Sequence, residues 1–326
     1  MFDAITIGGA TRDVFIKSAS LDVHEADEPP FAIEACFPMG TKIDIDEMIF
    51  QTGGGATNAA ATLALLGFKV ATVSSVGQDP NGRDIADEFK RYGISDKFLQ
   101  RDPDEQTAYS IIIVAGSGER TVLVYRGASR RLDPELVPWK KLRAKWFYLT
   151  SLGGDIGLCA RILEHAEREG IRVAWNPGNG ELRRGIAELE PLIRKVDVFN
   201  LNREEAAALT GIGTGNLNGI IGRLRGLPKR ILLVTDGLNG TYAADAEGVR
   251  HCGIVDVPRQ NTTGAGDAFG SGFVAGLLKR NDVDYALALG TLNATGVIQK
   301  MGAKRGLLTE LPSEEEISKV AIKPWS

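Results

Sequence analysis

The run Asn261-Thr-Thr-Gly264-Ala265-Gly266-Asp267-Ala268-Phe269 holds the residues best suited to chemistry. Three small residues, two of them glycine, stand at the start of a stretch of helical period, Ala265–Lys279. Backbone N–H groups at such a helix start point outward together at the positive end of the helix dipole, which makes an anion hole suited to a phosphate in transfer. Asp267 then sets a carboxylate beside the bound anion. That neighbour is electrostatically unfavourable unless it has a task, and the task that fits is taking a proton from a hydroxyl attacking phosphorus. The same residues would also make a tight turn with Asp267 as a helix-start acid, and spacing alone does not choose between the two.

The elements that must position this segment read as alternating strands and helices. Strands are expected at Phe2–Ile7, Val70–Ser75, Trp146–Thr150, Arg172–Trp175, Val196–Leu201 and Ile231–Thr235. Helices are expected at Ala56–Leu66, Asp84–Tyr92 ending at Gly93, Leu158–Glu169 stopped by Gly170, Glu204–Leu209 with Asn202 as N-cap, Ala265–Lys279 and Tyr285–Gln299. That order predicts an α/β fold, doubly wound, with a mostly parallel central sheet flanked by helices. Continuous apolar runs such as Ile231–Val234 suit strands buried on both faces. Two segments break the alternation. Residues 14–51 have strand character without a helix, and 107–127 read as a hairpin, Tyr109–Val114 and Thr121–Tyr125, turning at Gly116-Ser-Gly118. The expectation is one domain over 1–326, with a small β-sheet lid inserted from roughly 14–51 and 105–128.

Composition excludes several classes. The 326 residues are 43% hydrophobic and 25% charged with a net charge of −4, so a nucleic-acid partner is not expected. The pairs Arg130–Arg131 and Lys140–Lys141 read as solvated faces. No apolar run reaches the roughly 20 residues of a membrane span, and no signal-peptide pattern is visible. Cys36, Cys159 and Cys252 are far apart and have no metal-ligand spacing, so a reducing cytoplasm is the expected home. No Walker-type loop, GxGxxG after the first strand, HExxH or GxSxG is present. The three histidines, His24, His165 and His251, sit beside no nucleophile, and His165 reads as a surface residue of a polar helix. Thirty-nine glycines exceed the roughly 7% average and cluster at element junctions, which suggests backbone approaching a ligand.

At this point a family becomes visible. Asn261-Thr-Thr-Gly-Ala-Gly-Asp267 resembles the C-terminal signature D-T-x-G-A-G-D of the ribokinase-like (PfkB-type) carbohydrate kinases. Gly53-Gly-Gly-Ala-Thr-Asn58-Ala-Ala-Ala-Thr-Leu-Ala-Leu-Leu-Gly67 is similar to the family's first glycine signature. Asn202-Arg-Glu-Glu205 fits N-x-x-E, Val234-Thr-Asp-Gly237-Leu-Asn-Gly240 is close to V-T-x-G-x-x-G, and the stretch at Asn176-Pro177-Gly178 and the Gly302-Ala303 pair also fit. The resemblance implies an ATP-dependent kinase acting on a hydroxyl of a sugar or sugar-like compound. Asp267 would be the catalytic base, and Gly264, Ala265 and Gly266 the anion hole. Asn202 and Glu205 would hold Mg²⁺ and its waters, Glu205 as the metal-side carboxylate; taken alone, Glu205 reads as a solvated first-turn acid. Thr235, Gly237 and Gly240 would lie along the nucleotide, with Asn293 and Gly302 near adenine. Asp13, Gly54 and Asn58 would receive the acceptor, although Asp13 by itself reads equally as a turn residue. Arg126 stands where some relatives acting on acidic or keto sugars carry a similar Tyr-Arg, and is equally readable as a solvated strand-end cation.

Two positions depart from the pattern. Asn261 replaces the usual Asp, which in ribokinase-type members helps bind a monovalent cation, so K⁺ dependence stays open. Asp236 adds a negative charge where the family is commonly apolar, and the sequence supplies no account of it. A nucleoside kinase, with Phe15, Phe31, Phe37 and Tyr109 as aromatic candidates, remains the alternative within the class. A non-catalytic sugar sensor is the alternative outside it. A phosphosugar acceptor is less favoured, because it would need extra cations at the acceptor end and only Arg12 and Arg126 are obvious candidates. A homodimer through the lid is expected from the resemblance.

Overall fold

The computed structural model describes residues 1–18, 20, 22–25, 33–37, 39–114 and 120–325. Its main sheet has ten strands. From edge to edge they are Ile322–Pro324, Val249–Cys252, Thr241–Ala244, Ile231–Thr235, Val198–Asn202, Arg172–Trp175, Ala144–Leu149, Phe2–Ile7, Val70–Gly77 and Ser95–Asp102. The seven strands from Ile231–Thr235 to Ser95–Asp102 are parallel, and the three at the other edge are antiparallel. The fold is the doubly wound one that the alternation predicts.

Both faces of the parallel strands are covered, as the period-two rule requires. In Ala144–Leu149, Phe147 and Leu149 pack with the helix Ile156–Glu169, while Trp146 and Tyr148 pack with Phe269 and Phe273 of the helix Ala265–Arg280. The carboxyl ends of the parallel strands all open on one edge, where ligands bind in open α/β sheets. Gly9, Thr150, Asn176, Asn202 and Thr235 lie there.

The two segments that break the alternation make a second sheet of four strands, Glu47–Gly53, Thr11–Lys17, Ala108–Val114 and Arg120–Tyr125. It begins at Thr11, so the first strand of the main sheet leads almost directly into it. One cross-strand row, Gln51, Asp13, Ser110 and Val124, lies on its inner face. Among the described residues, Asp22–Glu25 and Ile33–Cys36 pair only with each other. The turn expected at 116–118 and Phe31 lie outside the described residues.

Two local expectations are corrected. The helix expected from Asp84 begins at Pro80. Its N-cap is Asp79, whose Oδ1 accepts from the Gly82 N–H at 2.8 Å, and Pro80 occupies the first turn, where its missing N–H costs nothing. His165 is buried rather than on the surface. Its ring stacks on Phe147 at 6.1 Å, its Nε2 lies 3.3 Å from the Leu142 carbonyl, and Arg168 covers its Nδ1. No helix among the described residues is long and apolar enough to cross a membrane.

Candidate active site

The helix Ala265–Arg280 starts between two clefts. Gly264 takes a left-handed conformation, φ +83°, and a Cβ there would lie 2.6 Å from that of Ala303. Only glycine makes this turn while packing on the Gly302-Ala303 loop. One turn of chain then serves both sides. Asp267 lines a cleft of about 280 Å³ beneath the second sheet, and Ala265 and Gly266 line a second cleft of about 210 Å³.

The anion hole differs in one member from the expected set. The Ala265 N–H already donates to the Thr262 carbonyl at 3.2 Å. The N–H groups of Gly264, Gly266 and Asp267 have no acceptor among the described residues, so these three are free for an anion.

Asp267 is held by partners remote in sequence. Its Oδ2 accepts from the Asn58 side-chain amide at 2.8 Å. Desolvation pushes its carboxyl above the usual carboxylate range, the Asn58 hydrogen bond and the Lys304 ammonium oppose that, and the nearby Asp13 carboxylate adds to it. Asp13 is buried, accepts from the Thr11 hydroxyl at 2.8 Å, and is likewise raised, mainly by desolvation. Gly53 seats it, since a Cβ there would fall 1.8 Å from the Asp13 carboxylate oxygen. Gly54 lines the first cleft at the start of the helix Gly55–Leu65, which carries Asn58. Asp13, Gly54, Asn58 and Asp267 are therefore brought together as expected.

The balance of charge at this spot comes from residues that sequence reasoning missed. Lys304 is buried and pairs with Glu88, and both meet the Thr52 hydroxyl. This joins the second sheet, the helix Pro80–Tyr92 and the loop after Ala303. The available signals were an acid inside the buried stripe Ile85, Ala86 and Phe89, and a lysine following Gly302-Ala303. Burial pulls the Lys304 ammonium down, while Glu88, Asp13 and Asp267 pull it up.

Asn202 and Glu205 form a reciprocal cap at the start of the helix Arg203–Thr210. The Glu205 N–H donates to Asn202 Oδ1 at 2.7 Å, and the Asn202 N–H to Glu205 Oε2 at 2.9 Å. Glu205 is half-buried, and desolvation raises it, with Glu204 and Asp267 adding repulsion. Its Oε1 makes no hydrogen bond within the protein among the described residues. Among those residues no group of three or more acidic, His or Cys side chains converges to bind a metal. A site with one free carboxylate oxygen, near a second carboxylate and the anion hole, fits Mg²⁺, which keeps most of its waters and takes phosphate oxygens as further ligands.

The second cleft is lined by Thr235, Gly237 and Gly240, and by Leu238, Val255, Phe269 and Ile298. That is a mainly apolar cleft beside glycine backbone and the helix start. Asn293 is not in it. Its side chain is fully buried, donates to the Ala268 carbonyl at 2.8 Å and accepts from the Leu308 N–H at 3.0 Å, so it ties the helix Val283–Ile298 to its neighbours. Gly302 is not in it either: it packs on Gln51, whose amide donates to the Met301 carbonyl at 3.1 Å. Asp236 now has an account. Arg203 donates to its Oδ2 at 2.6 Å, so the extra charge is paired. Asn261 spends its Oδ1 on the Thr263 N–H at 2.9 Å.

Around the first cleft the basic residues sort differently from expectation. Arg126 lines it, and so does Arg130; both side chains are exposed, as expected for Arg130. Arg12 is committed elsewhere, 3.4 Å from Asp84 and over the Phe50 ring. Phe15 is packed against Ile112 inside the second sheet, and no aromatic side chain lines the cleft among the described residues.

Comparison with known proteins gives the family and the fold. The model of the pfkB family of carbohydrate kinases matches residues 33–310. The ribokinase of Haemophilus influenzae is 27% identical over 79% of this chain and 84% of its own. A protein of Halopiger xanaduensis named ATP-dependent ribose-1-phosphate kinase is 32% identical over 75% of this chain and 81% of its own. The adenosine kinase structure from Sinorhizobium meliloti superposes with a TM-score of 0.79 at 24% identity, covering 94% of this chain and 97% of that one, which shows the shared fold. With a shared fold, two clefts meeting at one helix start and a family match over most of its length, this chain belongs to the pfkB family of carbohydrate kinases.

Proposed function

We propose that this chain transfers the terminal phosphoryl group of ATP to a hydroxyl of a sugar or sugar-like acceptor. One observation carries the reading: the segment 264–267 presents Asp267 to one cleft and Ala265 and Gly266 to the other. A donor phosphate seated on the Gly266 and Asp267 N–H groups would face an acceptor hydroxyl at Asp267. Asn58 occupies Oδ2, which leaves Oδ1 to take the proton as the oxygen–phosphorus bond forms and ADP departs. The second cleft would hold the base of ATP, with Thr235, Gly237 and Gly240 along it. Asn202 and Glu205 would hold Mg²⁺, which offsets phosphate charge when bound. The second sheet, from roughly 14–51 and 105–128, would act as a lid excluding water. Its outer face exposes Met48, Phe50 and Leu123, a surface suited to pairing with a second copy.

The acceptor's class is less fixed. The relatives' names span neutral sugars, a phosphorylated sugar and nucleosides, and the first cleft has no ring on which a base would stack. A sugar is therefore the better-supported acceptor. An ADP-release assay with Mg·ATP against sugars, keto-acids and nucleosides, with and without K⁺, tests the proposal. Turnover that disappears in Asp267→Asn supports it. ATP binding with no turnover on any acceptor returns weight to the sensor reading.

A further inference from the structure

Lys304 is the one lysine or arginine that is buried among the described residues. Its Nζ donates to the Thr52 hydroxyl at 2.5 Å and pairs with Glu88. The residue before it, Ala303, packs against Gly264 at the start of the helix that carries Asp267. The residue after Thr52 is Gly53, which leaves the space that the Asp13 carboxylate fills. A second tie runs beside the first, from the Gln51 amide to the Met301 carbonyl. The segment 301–304 therefore fastens the strand that seats Asp13 to the turn that presents Asp267.

Three carboxylates share this one ammonium. Glu88 touches it, and Asp13 and Asp267 lie within reach of its charge. The other charged groups nearby do not replace it. Arg126 and Arg130 line the first cleft but are exposed, so solvent screens them. Arg12 pairs with Asp84, and its pull on Asp13 is weaker than that of Lys304. Glu205 and the buried Tyr148 phenol interact with Asp267 but bring no positive charge, and Asn58 brings a neutral donor. Two carboxylates close together in a dry site repel, and one takes up a proton unless a cation stands by. A protonated Asp267 is no base, and a protonated Asp13 loses acceptor capacity for hydroxyls.

We infer that Lys304 is a positioning residue for the transfer: through Thr52 it fixes the strand under Asp13, and its charge lets Asp13 and Asp267 stand side by side as carboxylates, with Glu88 setting how much of that charge is left for them. Burial raises both carboxyls, and the ammonium opposes the rise at each. The two members of the ion pair thus act on the cleft carboxylates in opposite senses. Loss of Lys304 removes their counter-charge, whereas loss of Glu88 removes a competitor for it. The inference rests on the kinase reading for what the two carboxylates do, but not for their state of charge.

The experiment follows the carboxyl carbons of aspartate-labelled protein by NMR as pH is varied, without ATP or Mg²⁺. It compares the wild type, Lys304→Met, Glu88→Gln and the double variant, with Asp13→Asn and Asp267→Asn assigning the two signals. The acid limb of kcat/KM is recorded on the same proteins with whichever of ribose, fructose and adenosine turns over fastest. Lys304→Met is expected to raise the midpoints of the Asp13–Asp267 pair by about one pH unit, tenfold in proton affinity, and Glu88→Gln to lower them. Lys304→Met strands a buried carboxylate, and the double variant does not. Where only the double variant folds, its midpoints must lie above those of Glu88→Gln. Midpoints that stay in place while Tm falls make Lys304 a brace alone and overturn the inference, as do single variants that move them in the same direction. A kcat/KM limb that follows the midpoints supports the role in transfer, and one that ignores them overturns it. Midpoints that move as expected while the wild type turns over no acceptor overturn the kinase reading and leave the charge assignment standing.

Discussion

The side-chain amide of Asn58 donates to Oδ2 of Asp267 at 2.8 Å, across 209 positions of sequence. One residue sits in the first glycine signature and the other in the last, so the two signatures meet at a single hydrogen bond. The bond fixes the rotamer of the proposed base and decides which of its oxygens is available.

Removing that bond lowers turnover more than it lowers affinity. Asp267→Asn, which keeps the shape and removes the base, is expected to cost about 10²–10⁴ in kcat. Asn58→Ala should cost less, because the base remains and only its orientation is lost. Steady-state kinetics on both variants check the order, and an Asn58→Ala enzyme with unaltered kcat would contradict it.

The pH profile follows from the direction of the shift. Burial raises the Asp267 carboxyl, so it takes up its proton at higher pH than a solvated aspartate. A base must be unprotonated, so kcat/KM should fall with decreasing pH along a limb displaced above the ordinary carboxylate region. The linked stability runs the other way. An acid raised by folding stabilises the protein at low pH and loses that contribution as pH rises through its folded value. Asp267→Asn should therefore be at least as stable as the wild type at neutral pH, read as an equal or higher Tm.

Lys304 and Glu88 are a buried pair, so cutting one partner costs more than cutting both. Lys304→Met strands the Glu88 carboxylate and is expected to lose about 3–5 kcal/mol. The double variant Lys304→Met/Glu88→Gln should recover much of it. Urea unfolding of the four proteins in the cycle gives the coupling, and simple additivity would show that the pair is not energetically linked.

Glu205→Gln separates capping from metal binding. Glutamine still accepts the Asn202 N–H in the cap, so Tm should change little. The carboxylate charge is gone, so half-maximal activity should need several-fold more Mg²⁺. A large fall in Tm with unchanged Mg²⁺ dependence would assign Glu205 to the cap alone.

The contiguous parts of the site were legible. The alternation of strands and helices and the ends at Asn202 and Gly170 follow from local pattern, and the grouping of Asp13, Asn58 and Asp267 from the family resemblance. Partnerships created by topology were not. Nothing near Lys304 in the chain names Glu88, and nothing near Arg130 shows that the turn after Tyr125 folds against Ala10 and brings this exposed residue to a cleft. His165 was misleading because its polar neighbours on the helix do not reveal that Phe147 and the Leu142 carbonyl lie beneath it. The helix at Pro80 began early because Asp79 and Pro80 set its start, whereas the apolar period becomes visible only from Ile85. Asn293 and Gly302, expected near adenine from the resemblance, do not line the second cleft and serve packing.

The place of Phe2–Ile7 in the middle of the main sheet has a consequence for biogenesis. This strand emerges from the ribosome before both its neighbours, Val70–Gly77 and Ala144–Leu149. At bacterial and eukaryotic elongation rates the second neighbour follows the first by roughly 4 to 14 s. For that interval the nascent chain holds a half-paired apolar strand, and its vulnerability to chaperone capture or self-association is set by the order of synthesis rather than by the stability of the finished fold.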